Sequence, residues 1–245
     1  MARTVIFLAG ILLALGALPA RAGSYVVGVE DLAYLPHYGA ENGEYSGLVR
    51  DILDTFAKDN GHTLTYLPLP ITRLYQSLLD GRIDFKYPDS PTWKQSLKEG
   101  HSVLYSSPVV SYTDGVMVKP ENLGKGVAAI KRLGTVKGFT PWAWMDRVES
   151  KEVELSENPS FTGLMRQALS GRIDGAYINV DVARHQLHDV IGSPGGLVAD
   201  PALPSVRDFY FLSTTTQPDV LRQFDAWLSA NQGLIASLKA RWDLP

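Results

Sequence analysis

The sequence predicts an α/β protein made of two lobes of the same plan, and three observations carry that prediction. First, one phrase occurs twice: Leu78-Leu79-Asp80-Gly81-Arg82-Ile83-Asp84-Phe85, then Ala168-Leu169-Ser170-Gly171-Arg172-Ile173-Asp174-Gly175. Second, each copy sits at a seam between a helix and a strand. Residues 73–79 and 161–169 place apolar side chains at helical spacing, and Gly81 and Gly171 supply the left-handed residue that closes a helix. Third, Ile83-Asp84-Phe85-Lys86-Tyr87 and Ile173-Asp174-Gly175-Ala176-Tyr177-Ile178 read as short buried strands. The two units lie about a hundred residues apart, the span of one small domain. Two lobes leave a cleft between them, and clefts bind ligands.

The remaining elements follow in order. Residues 25–29 form a strand whose end carries Glu30 and Asp31, where open α/β sheets place ligand groups. A loop rich in aromatics and turn formers runs from Tyr34 through Pro36, His37 and Tyr38 to Tyr45 and Gly47. Residues 48–58 read as an amphipathic helix closed by Asn60-Gly61, and 63–67 as a second strand. Pro70 and Thr72 open the helix of the first repeat, whose strand, 83–87, runs into 88–94, a segment too Pro-rich to continue a sheet. Residues 103–110 lead into 115–119, taken as the first crossing between lobes.

In the second lobe the pattern gives a helix that includes 127–133, a strand at 133–136 and a turn at Lys137-Gly138-Phe139-Thr140-Pro141. A helix at 142–148 then points its free N–H groups toward whatever the turn faces. Asn179 precedes a helix at 182–187 and a loop at 192–196. Residues 209–212 form the second crossing, and 218–242 read as amphipathic helix with Val220, Leu221, Phe224, Trp227 and Leu228 on one face. The expected organisation is a leader at 1–22, the first lobe at 23–114, the second at 115–208, and a return to the first lobe at 209–245.

Length and a 45% hydrophobic content allow one large or two small cores. The net charge is −3 and basic residues are scattered, so no electrostatic footprint for nucleic acid or an anionic membrane surface is present. Arg3 precedes an apolar run at 5–18, then Pro19 and the small-x-small site Ala20-Arg21-Ala22, the pattern of a secretory signal peptide cleaved after Ala22. About fourteen apolar residues fall short of the roughly twenty that span a bilayer. The chain has no cysteine, which excludes disulfides, Cys-ligated zinc, a Cys nucleophile and a lipid anchor on Cys. The mature chain is expected as a free, soluble monomer in the periplasm. No Gly-x-Ser-x-Gly, His-Glu-x-x-His or phosphate loop is present, so neither catalysis nor a cofactor is expected.

Gly28 with Tyr34-x-Pro36, Gly47 before the first helix, both Gly-Arg-Ile-Asp units, the turn from Gly134 to Thr140, and Gly233-Leu234-Ile235 running to Lys239-x-x-Trp242 recur in a particular order. In that order and spacing, over nearly the whole mature chain, the sequence resembles the extracellular solute-binding proteins of family 3, the periplasmic receptors of amino-acid-type ABC transporters. The resemblance implies a type II periplasmic-binding-protein-like fold, two α/β lobes joined by two crossing strands that close on a small ligand. It also implies an ABC permease in the inner membrane as partner.

The ligand groups that the resemblance implies are Glu30 or Asp31 after the first strand, with Tyr34 and Tyr38 as aromatic walls. The loop Asp89, Ser90, Thr92, Trp93, Lys94 and Gln95 stands where a Thr-x-x-Arg motif grips the ligand carboxylate: Thr92 is kept and Gln95 replaces the arginine. Gly138-Phe139-Thr140 matches a Gly-Thr-Thr turn, with Phe139 replacing one hydroxyl. Asn179 stands where an aspartate pairs with the ligand ammonium. Asn and Gln donate and accept but cannot neutralise a charge. Desolvating a zwitterion without partners costs several kcal/mol. The expected ligand is therefore a neutral or singly charged solute held by hydrogen bonds and aromatic faces, with Lys94 or Arg73 available for a carboxylate.

Plainer readings stand beside these. A solvated strand end explains Glu30 and Asp31 equally well, and Tyr34 and Tyr38 could pack on their own lobe. Trp142 and Trp144 read as packing residues, and Asp84 and Asp174 as supports of the fold. His185-x-x-His188 shares a helix face with Asp181 one turn upstream, a weak metal pattern. Two further functions remain open: a dehydratase-like enzyme using Glu30, Asp31 or His37, and an accessory protein whose cleft is plugged by its own aromatics.

Overall fold

In the computed structural model, which describes residues 22–40 and 43–245, the chain starts in strand β1 (Ser24–Glu30). Residues 1–21, which carry the expected leader, lie outside the described residues. A small ribbon, β2 (Ala33–Tyr34) and β3 (Tyr38–Gly39), precedes helix α1 (Leu48–Asn60). Then come β4 (Thr63–Leu69), α2 (Ile71–Leu79), β5 (Phe85–Asp89), the short α3 (Gln95–Lys98) and β6 (Leu104–Tyr105). Strand β7 (Val110–Val118) leads to β8 (Arg132–Val136), α4 (Met145–Glu149), β9 (Glu154–Asn158), α5 (Phe161–Leu169), β10 (Gly175–Asn179) and α6 (Val180–His185). The chain ends with β11 (Val198–Ala199), β12 (Val206–Thr214), α7 (Pro218–Ala230) and α8 (Gln232–Arg241).

The strands follow the order β4-β1-β5-β12-β7-β10-β8-β9. β12 belongs to both halves. Its residues from Val206 to Tyr210 pair antiparallel with β7, and from Phe211 onward it pairs with β5 and β6. β7 in turn pairs with β10 and β11. The two halves are thus α/β lobes joined by two long strands that run side by side.

The repeated phrase does the same work in both lobes. Gly81 and Gly171 have φ of 66° and 72°, the left-handed conformation that turns each helix into the next strand. The Asp84 carboxylate accepts the Val26 N–H (2.8 Å), and that of Asp174 accepts the Arg132 N–H (2.7 Å), so each clamps the lobe's first strand. Each of those strands carries a glycine under the repeat's isoleucine. A Cβ on Gly28 would lie 2.4 Å from Ile83 Cδ1 and 2.6 Å from Leu74 Cδ1, and one on Gly134 at the same distances from Ile173 and Leu164. Helix and sheet approach closely only where the side chain is missing, and both lobes use that device.

Four elements differ from the sequence expectation. β5 continues through Pro88 to Asp89 because β12 skips a residue there, Phe211 facing Asp89 and Ser213 facing Lys86, and a proline fits such an irregular ladder. The expected helix at 127–133 is a single 3-10 turn, Val127–Ala129, and the Lys131 and Arg132 N–H groups are held extended by Asp174. Residues expected as one helix at 142–148 form a 3-10 turn, Trp142–Trp144, before α4, and the Trp142 and Trp144 N–H groups are taken by Thr140 and Pro141 carbonyls. The C-terminal helix breaks at Asn231 into α7 and α8.

Candidate ligand site between the lobes

Paired residues on neighbouring strands point to the same face. The register Asp114–Val206, Tyr112–Asp208 and Val110–Tyr210 therefore puts Tyr112, Asp114, Asp208 and Tyr210 on one face of the crossing strands. Asn179, paired with Asp114 on the other side of β7, joins them. Tyr112 and Tyr210 stack, with ring centroids 4.3 Å apart and planes 10° from parallel.

Over this floor stand rings from both lobes. Tyr34, His37, Tyr38 and Trp93 come from the first; Phe139 and Phe161 come from the second. Tyr34 lies 4.9 Å from Tyr38, 6.0 Å from Phe139 and 5.4 Å from Phe161. Tyr210 meets His37 at 5.5 Å and Trp93 at 5.9 Å. Its hydroxyl reaches Tyr34 and Asn179, both at 3.4 Å, and His37 Nε2 lies 3.7 Å from the Asp181 carboxylate. These contacts close the cleft, and the rings occupy it.

The polar groups are less well served than the rings. His37 is completely buried, and neither ring nitrogen has a hydrogen-bond partner. The Tyr87 hydroxyl and Asp114 Oδ1 are likewise buried and unpartnered. Each such group costs about 1–3 kcal/mol relative to a paired one.

The residues singled out from the sequence divide sharply. Glu30, Tyr34 and Tyr38 are buried at the cleft, with the Tyr38 hydroxyl donating to Glu30 at 2.7 Å. Burial pushes the Glu30 carboxyl upward against the pull of Lys86 and Tyr38. Trp93 packs on Tyr112 and Tyr210, and Phe139 packs against Tyr34. Asp31, Arg73, Thr92, Lys94, Gly138 and Thr140 are exposed. Gln95 is also exposed, beside a separate surface cavity of about 470 Å³ that it shares with Lys98 and Tyr105.

Asp89 and Asn179 are committed within the chain. The Asp89 carboxylate accepts from Lys98 Nζ (2.8 Å), the Ser213 hydroxyl (2.7 Å), the Ser90 N–H (2.8 Å) and the Tyr75 hydroxyl (3.1 Å), with Lys86 Nζ at 3.8 Å. Burial lowers the Lys98 ammonium pKa, opposed by Asp89. Ser90 is buried beside it and bonds Thr92. Asn179 Oδ1 caps α6, accepting from the N–H groups of Asp181 (2.9 Å) and Val182 (3.1 Å). His185 and His188 both turn to Asp189, and among the described residues no group of three acidic or histidine side chains could hold a metal.

Sequence reasoning missed Asp114, Tyr112, Tyr210 and Phe161 as cleft residues. Asp114 is part-exposed as a residue, yet its Oδ1 is shut off from solvent. Burial, and then the charge of Asp208, push its carboxyl from the usual 3.8 up to about 7. The native state therefore prefers the proton. In the window between pH 3.8 and about 7 the folded chain binds more protons than the unfolded one, so stability contributed by this group is full below it and declines as pH rises through it. Asp114→Asn is expected to flatten that decline in melting temperature measured from pH 4 to pH 8.

No protein-family model matches this sequence, and no curated protein matches it. Solved structures do match. An ancestral arginine-binding protein bound to arginine superposes with a TM-score of 0.69 at 19% identity, over 91% of this chain and 99% of that one. The GluR0 ligand-binding core in complex with L-glutamate gives 0.71 at 13% identity, over 89% and 97%. The ancestral amino acid-binding protein AncCDT-1, a precursor of cyclohexadienyl dehydratase, gives 0.67 at 18% identity, over 90% and 95%. The chain has the type II periplasmic-binding-protein fold. The crossing strands β7 and β12 join the two lobes, and the ring cluster sits where the lobes meet. Among the described residues no helix is long and apolar enough to cross a membrane.

Proposed function

We propose that this protein is a non-catalytic receptor of the periplasm that traps a small, amino-acid-like organic solute between its lobes and presents it to an ABC permease. One observation carries the reading: polar atoms buried without a hydrogen-bond partner, His37 Nδ1 and Nε2 and Asp114 Oδ1, lie at a seam lined by rings from both lobes. A solute that supplies partners to those atoms binds the closed state selectively, and closure and affinity are then one free energy. The arginine-bound and glutamate-bound proteins that share the fold support a solute of that size.

The filled cleft favours a second reading, an accessory protein that has kept the fold and binds a protein partner. The orphaned polar atoms argue against it, because a permanent plug would pair them. Titration of the mature protein with a library of small solutes decides between the two. Trp93 lies in the cleft, so binding is expected to change tryptophan fluorescence and raise the melting temperature, and Trp93→Phe to abolish the optical signal while keeping the thermal shift. A library with no thermal shift, together with a stable protein complex in pull-downs, would replace the receptor by the accessory protein.

A further inference from the structure

Charged side chains at the cleft are mostly acidic, with Lys86 of the first lobe acting on Glu30. Glu30, Asp114, Asp181 and Asp208 line or border the ring cluster. The buried ammonium groups of the first lobe, Lys86 and Lys98, both turn to Asp89, and Arg184 pairs with Asp181. Among the described residues neither Asp114 nor Asp208 takes part in an ion pair. Asp208 Oδ1 accepts only the following N–H, of Phe209, at 2.8 Å, and Asp114 Oδ1 accepts nothing. The groups facing Asp114 from adjoining elements are Asp208 on β12, Tyr34, Tyr177 on β10, and the stacked Tyr112 and Tyr210.

A carboxylate oxygen shut off from solvent beside aromatic faces, as Asp114 Oδ1 is, can seat a cation, with Asp208 at its more open side. The carboxylate supplies the counter-charge and the ring faces add cation–π attraction. A ligand carboxylate brought to the same place would meet acids, and the exposed Gln95 offers it no charge. Resting on the receptor reading, we infer that the solute is an organic cation without a carboxylate, an amine or guanidine, whose charged end sits on Asp114 and Asp208 against the Tyr112–Tyr210 stack. Asp114 is then a specificity-determining residue, and the unpartnered His37 is left to bond the polar remainder of the solute.

The test is calorimetric titration of the mature protein at pH 7.5 with four probes: agmatine, choline, arginine and glutamate. Agmatine and arginine differ by a carboxylate alone. Agmatine or choline is expected to bind at least tenfold more tightly than arginine, glutamate not at all. Asp114→Asn is expected to weaken the cation at least tenfold with an unchanged far-ultraviolet circular dichroism spectrum, and Asp114→Glu to restore part of the loss. Glutamate or arginine binding as tightly as agmatine, or an Asp114→Asn protein that binds the cation unchanged, overturns the cation seat and leaves the receptor standing. If all four probes are silent, mass spectrometry of the solute released on unfolding decides. A released cation supports the assignment, a released anion or zwitterion overturns it, and no solute at all removes the receptor reading with it.

Discussion

Asp89→Ala is expected to destabilise the first lobe by about 3–5 kcal/mol, because it leaves two buried ammonium groups without their shared partner. For a chain of this length that corresponds to a fall in melting temperature of about 10 °C. Lys86 is completely buried, with its Nζ donating to the Pro88 carbonyl and lying 4.3 Å from the centre of the Tyr75 ring. Lys98 Nζ has the Ser90 carbonyl at 2.7 Å and the rings of Tyr75 and Tyr105 close by. Carbonyls and ring faces ease a buried cation but do not neutralise it. The charge, not the volume, is the cause, and that makes a sharper test. Removing all three charges together, as Asp89→Leu with Lys86→Met and Lys98→Met, is expected to recover most of the loss in thermal unfolding. A triple variant no more stable than Asp89→Ala would show that packing of the carboxylate, not pairing, is what matters there. The same cluster anchors the loop that carries Trp93, so the single variant should also change tryptophan fluorescence.

That cluster shows where sequence reading reached and where it stopped. The repeated Gly-Arg-Ile-Asp phrase was legible because every part of it acts locally: a left-handed glycine, an isoleucine over a bare strand, an aspartate clamping the next strand's N–H groups. From such seams two lobes of one plan follow; the type II arrangement came from the resemblance. Asp89 stood among the ligand groups because the resemblance places its loop there, but Lys98, Ser213 and Tyr75 converge on it only in three dimensions. Asp114 and Tyr210 were illegible for a related reason. They sit on strands far apart in sequence, and only the β7–β12 register brings Asp114, Tyr112, Asp208 and Tyr210 to one face. The resemblance drew attention to Arg73, Lys94 and Gln95, which are exposed, because it carries positions and not the side-chain directions that decide what faces a cleft.

Tyr210 packs the crossing strands onto the first lobe beside the seam, and Tyr210→Ala is expected to loosen that seam. Its ring stacks on Tyr112 and meets His37, Tyr38, Tyr87 and Trp93 edge-on, so one side chain touches the loop of the first lobe, its central strand and the neighbouring crossing strand. Its removal costs about 3–5 kcal/mol, the range for a large buried aromatic truncated to alanine. The distribution of that cost is informative. The ring packs on the first lobe and the neighbouring crossing strand beside Tyr34, whose own ring meets Phe139 and Phe161 of the second lobe, so loss of Tyr210 is expected to loosen that seam, and the radius of gyration from small-angle scattering should rise as the melting temperature falls. Tyr210→Phe separates latch from filler. It keeps the stack and loses only the hydroxyl contacts to Tyr34 and Asn179, both at 3.4 Å, so it should cost about 1 kcal/mol or less and leave the radius unchanged. An alanine variant of native radius, however destabilised, would mean that Tyr34 with Phe139 and Phe161 holds the seam without it. The closed cleft would then be set by the second lobe's rings and not by the crossing strands.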